Sequence, residues 1–170
     1  MTKASRHLAV LLITLAIGAG VYLSLDRAGP PQPLPIVPYT LLDGQTSSTA
    51  QWQGRVTLVN FWATSCAVCI KEMPKLVDTH ERFRSRGFDT LAVAMSYDPP
   101  AAVVDYAQSR RLPFGVAIDN TGTIARSFGD IKGTPTSLLV DKRGRIVRRF
   151  VGEPDFAALH EMIEQLIAEI

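Results

Sequence analysis

The sequence predicts an α/β fold in which a central mixed β-sheet carries helices on both faces, preceded by one N-terminal transmembrane helix. Three observations support this prediction. An 18-residue stretch without any charged side chain lies near the N-terminus. Strand and helix signals then alternate from Tyr39 to the C-terminus. Their order, β-α-β-α-β-α-β-β-α, requires parallel strands joined through helices and a final antiparallel hairpin.

The apolar stretch covers residues 8–25 and follows the basic residues Lys3 and Arg6. At about 1.5 Å per residue, a helix of this length approaches the ~30 Å hydrocarbon core of a bilayer. The positive-inside rule keeps the basic end in the cytoplasm, so residues 1–27 are predicted to form a cytoplasmic stub and membrane anchor. A cleaved signal peptide is the alternative interpretation. Both interpretations place the rest of the chain on the exported side.

Residues 28–38 contain five prolines in eleven positions, which is typical of an extended, semi-rigid linker. The folded domain is therefore predicted to span residues 39–170. The chain has 170 residues, 46% of them hydrophobic, and this suits one domain beside a short extra segment. Its net charge of +2 comes from the first 27 residues. A neutral domain without a basic cluster argues against a nucleic-acid partner.

The first half of the domain carries strand signals followed by a long helical signal. Residues 39–42 predict a strand that enters a hairpin turn, and residues 56–62 have the composition of a buried central strand. A helical period follows Cys66 and ends at Gly87, with Pro74 expected to bend the helix. The predicted apolar face of this helix contains Ile70, Met73, Leu76, Val77, His80 and Phe83.

The second half of the domain predicts two further strand–helix pairs, a hairpin and a closing amphipathic helix. The hairpin is indicated by an Asp-Lys-Arg-Gly turn between two β-rich runs. Apolar residues at helical spacing indicate the closing helix. The predicted strands are residues 88–95, 113–118, 136–140 and 145–151, and the predicted helices are residues 100–111, 120–128 and 155–170.

Cys66 and Cys69 are the only cysteines in the chain. They directly follow a predicted central strand and begin a predicted helix, and this placement indicates chemistry more strongly than the spacing alone. Free N–H groups at a helix start favour a thiolate, which is the form that attacks disulfides. Cys66 is the better placed to be exposed and is the expected nucleophile. Cys69, one turn later, is expected to resolve the mixed disulfide.

Three other interpretations of the cysteine pair are open. A structural zinc site needs four ligands, and His7, His80 and His160 do not have ligand spacing. A copper site would combine the two thiolates with a distant histidine, for which His160 is the candidate. The third interpretation is an inert buried pair. The sequence favours a redox-active pair without a metal or organic cofactor, since it contains no GxGxxG motif and no Walker loop.

A second element, Gly133-Thr134-Pro135-Thr136, precedes an apolar strand. Proline is normally excluded from the hydrogen-bond ladder of a central strand. A cis peptide bond at a tight turn explains its position, because cis geometry is essentially confined to X–Pro bonds. The Thr134–Pro135 bond is therefore predicted to be cis.

Longer strings around these two elements are similar to one family. They are Leu58-Val-Asn-Phe-Trp-Ala-Thr-Ser-Cys66, Cys69-Ile-Lys-Glu-Met-Pro74, and Gly133-Thr-Pro-Thr-Ser-Leu-Leu-Val-Asp141 with Gly144. From about Pro38 to the C-terminus, the chain resembles the thioredoxin superfamily in its TlpA/ResA/CcmG branch of exported, usually membrane-anchored thiol reductases. The resemblance implies a thioredoxin-like fold in a single-pass protein of the bacterial inner membrane, with the catalytic domain in the periplasm.

The resemblance also implies roles for individual residues. Cys66 would be the attacking thiol and Cys69 the resolving thiol. Pro135 would be the cis-proline packed beside them. The backbone of Thr134 would pair with the substrate chain.

Five further positions follow or depart from the family pattern. Asn60 stands where thioredoxin has a buried aspartate. Asp98 aligns with an acid thought to assist the cysteines, and a solvated loop aspartate is the alternative. Glu72 matches the pattern CxxCxxExP, with a purely surface position as the alternative, and Trp62 is expected to pack under the site. Ser65 replaces the usual aromatic residue before the first cysteine, and its hydroxyl is a candidate helix cap.

The resemblance implies a dithiol reductant of disulfide-bearing client proteins. In this family the clients are often apocytochrome c or copper-assembly proteins of the respiratory oxidase, and a membrane thiol electron donor protein would regenerate the dithiol. Two alternatives are a DsbA-like disulfide oxidant and a non-enzymatic Cu(I) carrier. Ala67 and Val68 lack the histidine that helps to stabilise a DsbA-like thiolate, which favours the reductant.

Overall fold

The computed structural model describes residues 31–169, and the predicted membrane helix lies outside them. Within residues 31–169, no helix is long and apolar enough to cross a membrane. The strands are β1 (Gln32–Pro33), β2 (Pro38–Thr40), β3 (Thr46–Ser48), β4 (Val56–Trp62), β5 (Phe88–Ala94), β6 (Gly115–Ile118), β7 (Thr136–Val140) and β8 (Arg145–Val151). The helices are α1 (Ala67–Phe83), α2 (Pro100–Ser109), α3 (Thr123–Ser127) and α4 (Phe156–Ala168).

Six strands form one mixed sheet in the order β1-β8-β7-β4-β5-β6. Strands β4, β5 and β6 are parallel, whereas β7 pairs antiparallel with β4 and β8 antiparallel with β7. The parallel strands are connected through helices, as right-handed crossover connections require. Strands β2 and β3 form a separate hairpin. This confirms the predicted mixed sheet of an α/β fold.

Apolar clusters cover both faces of the sheet. Every residue of β4 is buried, and alternate side chains enter opposite clusters, with Leu58 in one and Val59 in the other. Buried residues of α1, α2 and α4 belong to the Leu58 cluster, and those of α3 belong to the Val59 cluster. A strand buried on both faces reads as a continuous apolar run, which explains the sequence of β4.

The predicted boundary between linker and domain at Tyr39 is wrong. Gln32 and Pro33 form β1 and pair with Ile146 and Arg145 of β8. Val37 is only 3% exposed. A proline is tolerated at the edge of a sheet because its missing N–H faces away from the ladder. The second half of the proline-rich segment is therefore part of the domain, and residues 28–30 lie outside the described residues.

Helix α1 determines where the cysteines lie. It passes through Pro74, ends at Phe83 and is followed by a 3₁₀ turn over Arg84–Arg86. Gly87 then adopts a φ of 89°, a left-handed conformation that glycine reaches without steric cost. The predicted end of the helical segment at Gly87 is confirmed. At its other end, α1 begins directly after Cys66, which follows the last residue of β4 by four positions. The cysteines therefore lie at the end of the central strand.

Candidate active site

Cys66 is the N-cap residue of α1. It lies four residues after the end of β4 and forms a disulfide with Cys69, with the two Cα atoms 5.2 Å apart. The backbone N–H of Cys69 donates to the Cys66 sulfur at 3.2 Å. The cap is therefore the sulfur of Cys66, and the prediction that Ser65 caps the helix is wrong. An N–H group aimed at this sulfur would stabilise a thiolate there after reduction.

The two sulfurs differ in exposure. Cys66 is half-buried, whereas Cys69 is completely buried against the apolar cluster on the α1 face of the sheet. Thiol–disulfide exchange requires access to the attacked or attacking sulfur. A macromolecular client can therefore reach Cys66, while Cys69 can only be reached from within the protein.

The proline loop lies at the same end of the sheet. The Thr134–Pro135 bond is cis, as the sequence predicts. Thr136 pairs with Phe61, one residue before the end of β4, so the loop stands beside the segment that leads to Cys66. The carbonyl oxygen of Pro135 accepts the N–H of Gly152 at 2.8 Å, which joins this loop to the end of β8.

Comparisons with known proteins agree with this arrangement. The Redoxin family model matches residues 30–163. The thiol-disulfide oxidoreductase ResA of Bacillus thuringiensis is 31% identical over 127 residues, which cover 75% of this chain and 72% of the relative. The chain belongs to the ResA-like branch of the thioredoxin superfamily. It is accordingly a thiol–disulfide oxidoreductase with Cys66 and Cys69 as its CxxC pair.

Solved structures support the same fold for this oxidoreductase. A candidate thioredoxin from Neisseria meningitidis is 39% identical, with a TM-score of 0.75 over 81% of this chain and 91% of the other. A thiol:disulfide interchange protein from Chlorobium tepidum is 27% identical, with a TM-score of 0.74 over 84% of this chain and 100% of the other. The fold is therefore thioredoxin-like.

Glu72 lies on the buried face of α1, the helix that carries the CxxC pair of the oxidoreductase. It is 0% exposed, which excludes the alternative of a purely surface position. Its Oε1 accepts from Asn60 Nδ2 at 2.9 Å, and the same nitrogen donates to Ser137 Oγ at 2.9 Å. The buried residues of α1 include Cys69, Glu72, Met73 and Leu76, at spacings of three and four. This helical spacing was the sequence signal that could have revealed the burial of Glu72.

Burial raises the pKa of Glu72 from 4.5 to about 7. The hydrogen bond from Asn60 lowers this pKa, and the charge of Glu153 raises it. Among residues 31–169, Glu72 Oε2 and Asn60 Oδ1 have no hydrogen-bond partner. When Glu72 is ionised, both atoms are hydrogen-bond acceptors without a donor. Protonation of the carboxyl removes one of these unsatisfied acceptors, and this favours the neutral form of Glu72 in the buried site. The carboxyl is thus poised to exchange a proton near neutral pH.

Asp98 holds the segment before Cys66 in place. It is 2% exposed, which excludes the alternative of a solvated loop residue. Its Oδ2 accepts the backbone N–H of Thr64 at 2.7 Å and its Oδ1 accepts the Thr64 hydroxyl at 2.6 Å. Thr64 is two residues before Cys66. Asp98 therefore acts on Cys66 indirectly, by fixing the backbone that precedes it. It is a positioning residue.

Trp62 ends the central strand with a fully buried side chain. Its ring lies 5.2 Å from that of Tyr106 on α2, measured between centroids. It belongs to the same apolar cluster as Cys69. This confirms its packing position under the site.

His160 is far from the cysteines. Its Nε2 lies 2.9 Å from Thr79 Oγ1, and its Nδ1 lies 3.3 Å from Arg82. Thr79 follows Cys69 by ten residues of α1, or roughly 15 Å along the helix. In residues 31–169, no cluster of three or more His, Cys, Asp or Glu side chains has the arrangement of a metal site. The structure does not bring His160 to the thiolates as the copper interpretation requires.

Two polar residues near the site, Ser137 and Tyr97, are not among the residues predicted to form it. Ser137 is a fully buried polar residue in the otherwise apolar β7, and this contrast was a usable signal. Tyr97 is exposed, and its hydroxyl lies 3.2 Å from Thr134 Oγ1. Nothing in the local pattern marks Tyr97, because its contact comes from a loop 37 residues away.

Proposed function

We propose that this oxidoreductase is an exported reductant of protein disulfides. The observation that carries the proposal is the buried Glu72 carboxyl on the same helix as the cysteines. A carboxylate three residues after Cys69 on the same helix disfavours a thiolate there, whereas DsbA is a strong oxidant because its reduced form is stabilised. Ala67 and Val68 bring no positive charge to offset this effect. Both features favour the disulfide over the dithiol, so the dithiol gives up its electrons readily.

The reaction begins with reduced enzyme. The Cys66 thiolate attacks one sulfur of a client disulfide, a new S–S bond joins Cys66 to the client, and the other client sulfur leaves as a thiolate that takes up a proton. Cys69 then loses its proton and attacks the Cys66 sulfur. The second client sulfur leaves and is protonated. Two electrons and two protons have passed to the client, and Cys66 and Cys69 are joined as in this structure.

We infer that Glu72 accepts the proton of Cys69 in the resolving step. The two residues are three positions apart on α1 and therefore lie on the same face. Cys69 is buried, so a base within the protein is needed to form its thiolate. A group with a pKa near the working pH is the most effective general base, and burial raises the pKa of Glu72 to about 7.

The cellular setting follows from the N-terminal sequence. An uncharged stretch over residues 8–25, preceded by basic residues, supports a single-pass anchor in the bacterial inner membrane with the catalytic domain in the periplasm. The sequence carries no motif for a soluble electron-carrying cofactor, so a dithiol of a membrane electron donor protein would regenerate Cys66 and Cys69. Clients would be exported proteins with a disulfide to open, of the cytochrome c maturation or oxidase copper-assembly type.

The reduction potential of the Cys66–Cys69 pair tests the direction of electron flow. We expect a value near or below that of thioredoxin, about −270 mV, when the full chain is equilibrated with dithiothreitol or glutathione buffers. A value near that of DsbA, about −120 mV, would make the protein an oxidant and overturn the reductant proposal.

Glu72→Gln provides the matched variant for this measurement. It keeps the size of the side chain and removes the ionisable group. We expect its potential at pH 8 to be more oxidising than that of the wild-type protein, because the thiolates lose an unfavourable charge. An unchanged potential would mean that the carboxylate does not act on the sulfurs.

A further inference from the structure

Tyr97 presents an aromatic ring to solvent at the end of the sheet that carries the cysteines. It lies in the loop between β5 and α2 and is 57% exposed. Its hydroxyl lies 3.2 Å from Thr134 Oγ1, directly before the cis-proline. This hydrogen bond crosses from one loop to another and orients the ring. A large side chain is thus held in place on the surface without being buried.

The same loop is tied to the nucleophile. Asp98, the next residue, binds both the backbone N–H and the hydroxyl of Thr64. Thr64 is two residues before Cys66. Tyr97 is therefore held between the segment that leads to Cys66 and the loop that carries Thr134. A chain that pairs with Thr134 therefore lies next to this ring.

Two other exposed apolar side chains belong to segments next to Cys66 and Pro135. Val68 lies between the cysteines and is 45% exposed. Val151 is 80% exposed at the end of β8, next to the residue that donates to Pro135. Exposed apolar groups gathered in one place are typical of an interaction surface. We call Val68, Tyr97 and Val151 the apolar rim, because each belongs to one of the segments at the end of the sheet where Cys66 lies.

The acidic groups near this rim are paired or buried. Glu153 is paired with Lys75 and Lys71 of α1. Glu72 and Asp98 are buried. The rim itself consists of uncharged side chains and consequently offers apolar contact to an approaching chain. It is complementary to an extended segment with an uncharged, apolar side chain beside its cysteine.

We propose that Tyr97 is a specificity-determining residue of the exchange reaction, whose ring contacts an apolar side chain adjacent to the client's cysteine. The hydroxyl bond to Thr134 sets the orientation of the ring. This inference rests on the exchange reaction itself and not on the direction of electron flow. The attack of Cys66 on a disulfide can be measured whatever the physiological direction is.

The test compares three disulfides with the reduced full chain. Two are synthetic peptides with an intramolecular disulfide, identical except for Leu or Ser beside one cysteine, and the third is hydroxyethyl disulfide, which is too small to reach Tyr97. Second-order rate constants are measured with each disulfide in excess. We expect the wild-type protein to prefer the Leu peptide about tenfold, a typical value for one apolar contact. Tyr97→Ala should abolish that preference and leave the rate with hydroxyethyl disulfide within about twofold.

Two variants separate a client contact from a structural effect. Tyr97→Phe keeps the ring and should retain most of the preference for the Leu peptide. Ile36→Ala removes another exposed apolar side chain, which is 80% exposed in the segment between β1 and β2, and should retain the preference completely. An equal loss with all three disulfides, or no loss with Tyr97→Ala, would overturn the proposal. Neither result depends on the reduction potential, so a failure of the reductant proposal is distinguishable from a failure of this one.

Discussion

The chemistry of the site depends on the different positions and exposures of its two cysteines. Cys66 caps α1 and is partly accessible, whereas Cys69 is completely buried one turn later. The helix start supplies the N–H that points at Cys66, and the apolar cluster surrounds Cys69. Position on the helix, rather than the spacing of the motif, therefore assigns attack to one sulfur and resolution to the other.

Cys69→Ser should trap a mixed disulfide between Cys66 and a client. The serine hydroxyl cannot attack the Cys66 sulfur, so the covalent intermediate is not released. Non-reducing electrophoresis after incubation with a disulfide-bearing peptide measures the trapped fraction. Cys66→Ser is the control and should trap none, because the remaining thiol is buried. Equal trapping by both variants would reverse the assignment of the nucleophile.

At the scale of structural elements, loops between strands and helices meet around the disulfide. The segment after β4 carries Cys66, the segment after β5 carries Tyr97 and Asp98, and the segment before β7 carries Pro135. Parallel neighbours β4 and β5 end at the same edge of the sheet, and β7 begins there because it runs antiparallel to β4. The topology brings these loops together, and the bonds to Thr64 and Thr134 join them.

Asp98→Asn should destabilise the loop that precedes Cys66. The amide replaces one of the two acceptor oxygens that bind Thr64, and it places an N–H₂ group against a donor. We expect the free energy of unfolding to fall by about 2 kcal/mol in urea denaturation, a typical cost for a lost hydrogen bond to a charged group.

A double-mutant cycle tests whether this loss comes from the contact with Thr64. Thr64→Val removes the hydroxyl and keeps the backbone N–H, so the two substitutions should be clearly non-additive. Asp105→Asn changes an exposed aspartate of α2 and is the matched control, with an expected effect within about 0.5 kcal/mol. Additive effects of Asp98→Asn and Thr64→Val would contradict the positioning role of Asp98.

The elements were more predictable from sequence than the contacts between them. Strands β4, β7 and β8 have the predicted ends, because alternation and turn residues are local signals. The short β1 was missed because a proline-rich segment gives no strand signal, and its pairing depends on β8. The sequence left the burial of Glu72 open, because a carboxylate is normally solvated even where its helical spacing places it beside buried residues. Contacts between elements that are distant in sequence determine the pairing of β1 and the burial of Glu72. Contacts of this kind also form the site.

At the scale of the whole molecule, Glu72 links the protonation state of one buried group to the stability of the fold. Asn60 on β4, Ser137 on β7 and Glu72 on α1 form one hydrogen-bonded cluster that joins two strands to the redox helix. In the unfolded chain the Glu72 carboxyl ionises with a pKa of 4.5, and in the folded protein burial raises this pKa to about 7. Between these values, the folded state holds a proton that the unfolded chain has released.

The contribution of Glu72 to the free energy of unfolding of the oxidised protein should therefore decrease as the pH rises. Burial lowers the pKa of His80 and of His160, which acts in the opposite direction, and this part is common to the wild-type protein and a Glu72 variant. The contribution of Glu72 is fully present below a pH of about 4.5 and is lost as the pH passes through about 7. The difference between the two pKa values corresponds to a loss of about 3 kcal/mol across this window. Urea denaturation at a series of pH values between 4 and 8 measures this slope, with Cys66 and Cys69 kept oxidised.

Glu72→Gln should remove most of that slope, because the variant has no proton to release at this position. Glu161→Gln changes an exposed carboxyl on α4 and is the matched control, in which the slope should persist. If the wild-type protein and Glu72→Gln instead showed the same slope between pH 5 and 7, Glu72 would be ionised in the folded state throughout this range. The buried carboxyl could then not take the proton of Cys69 near neutral pH, and the resolving step would need a different base.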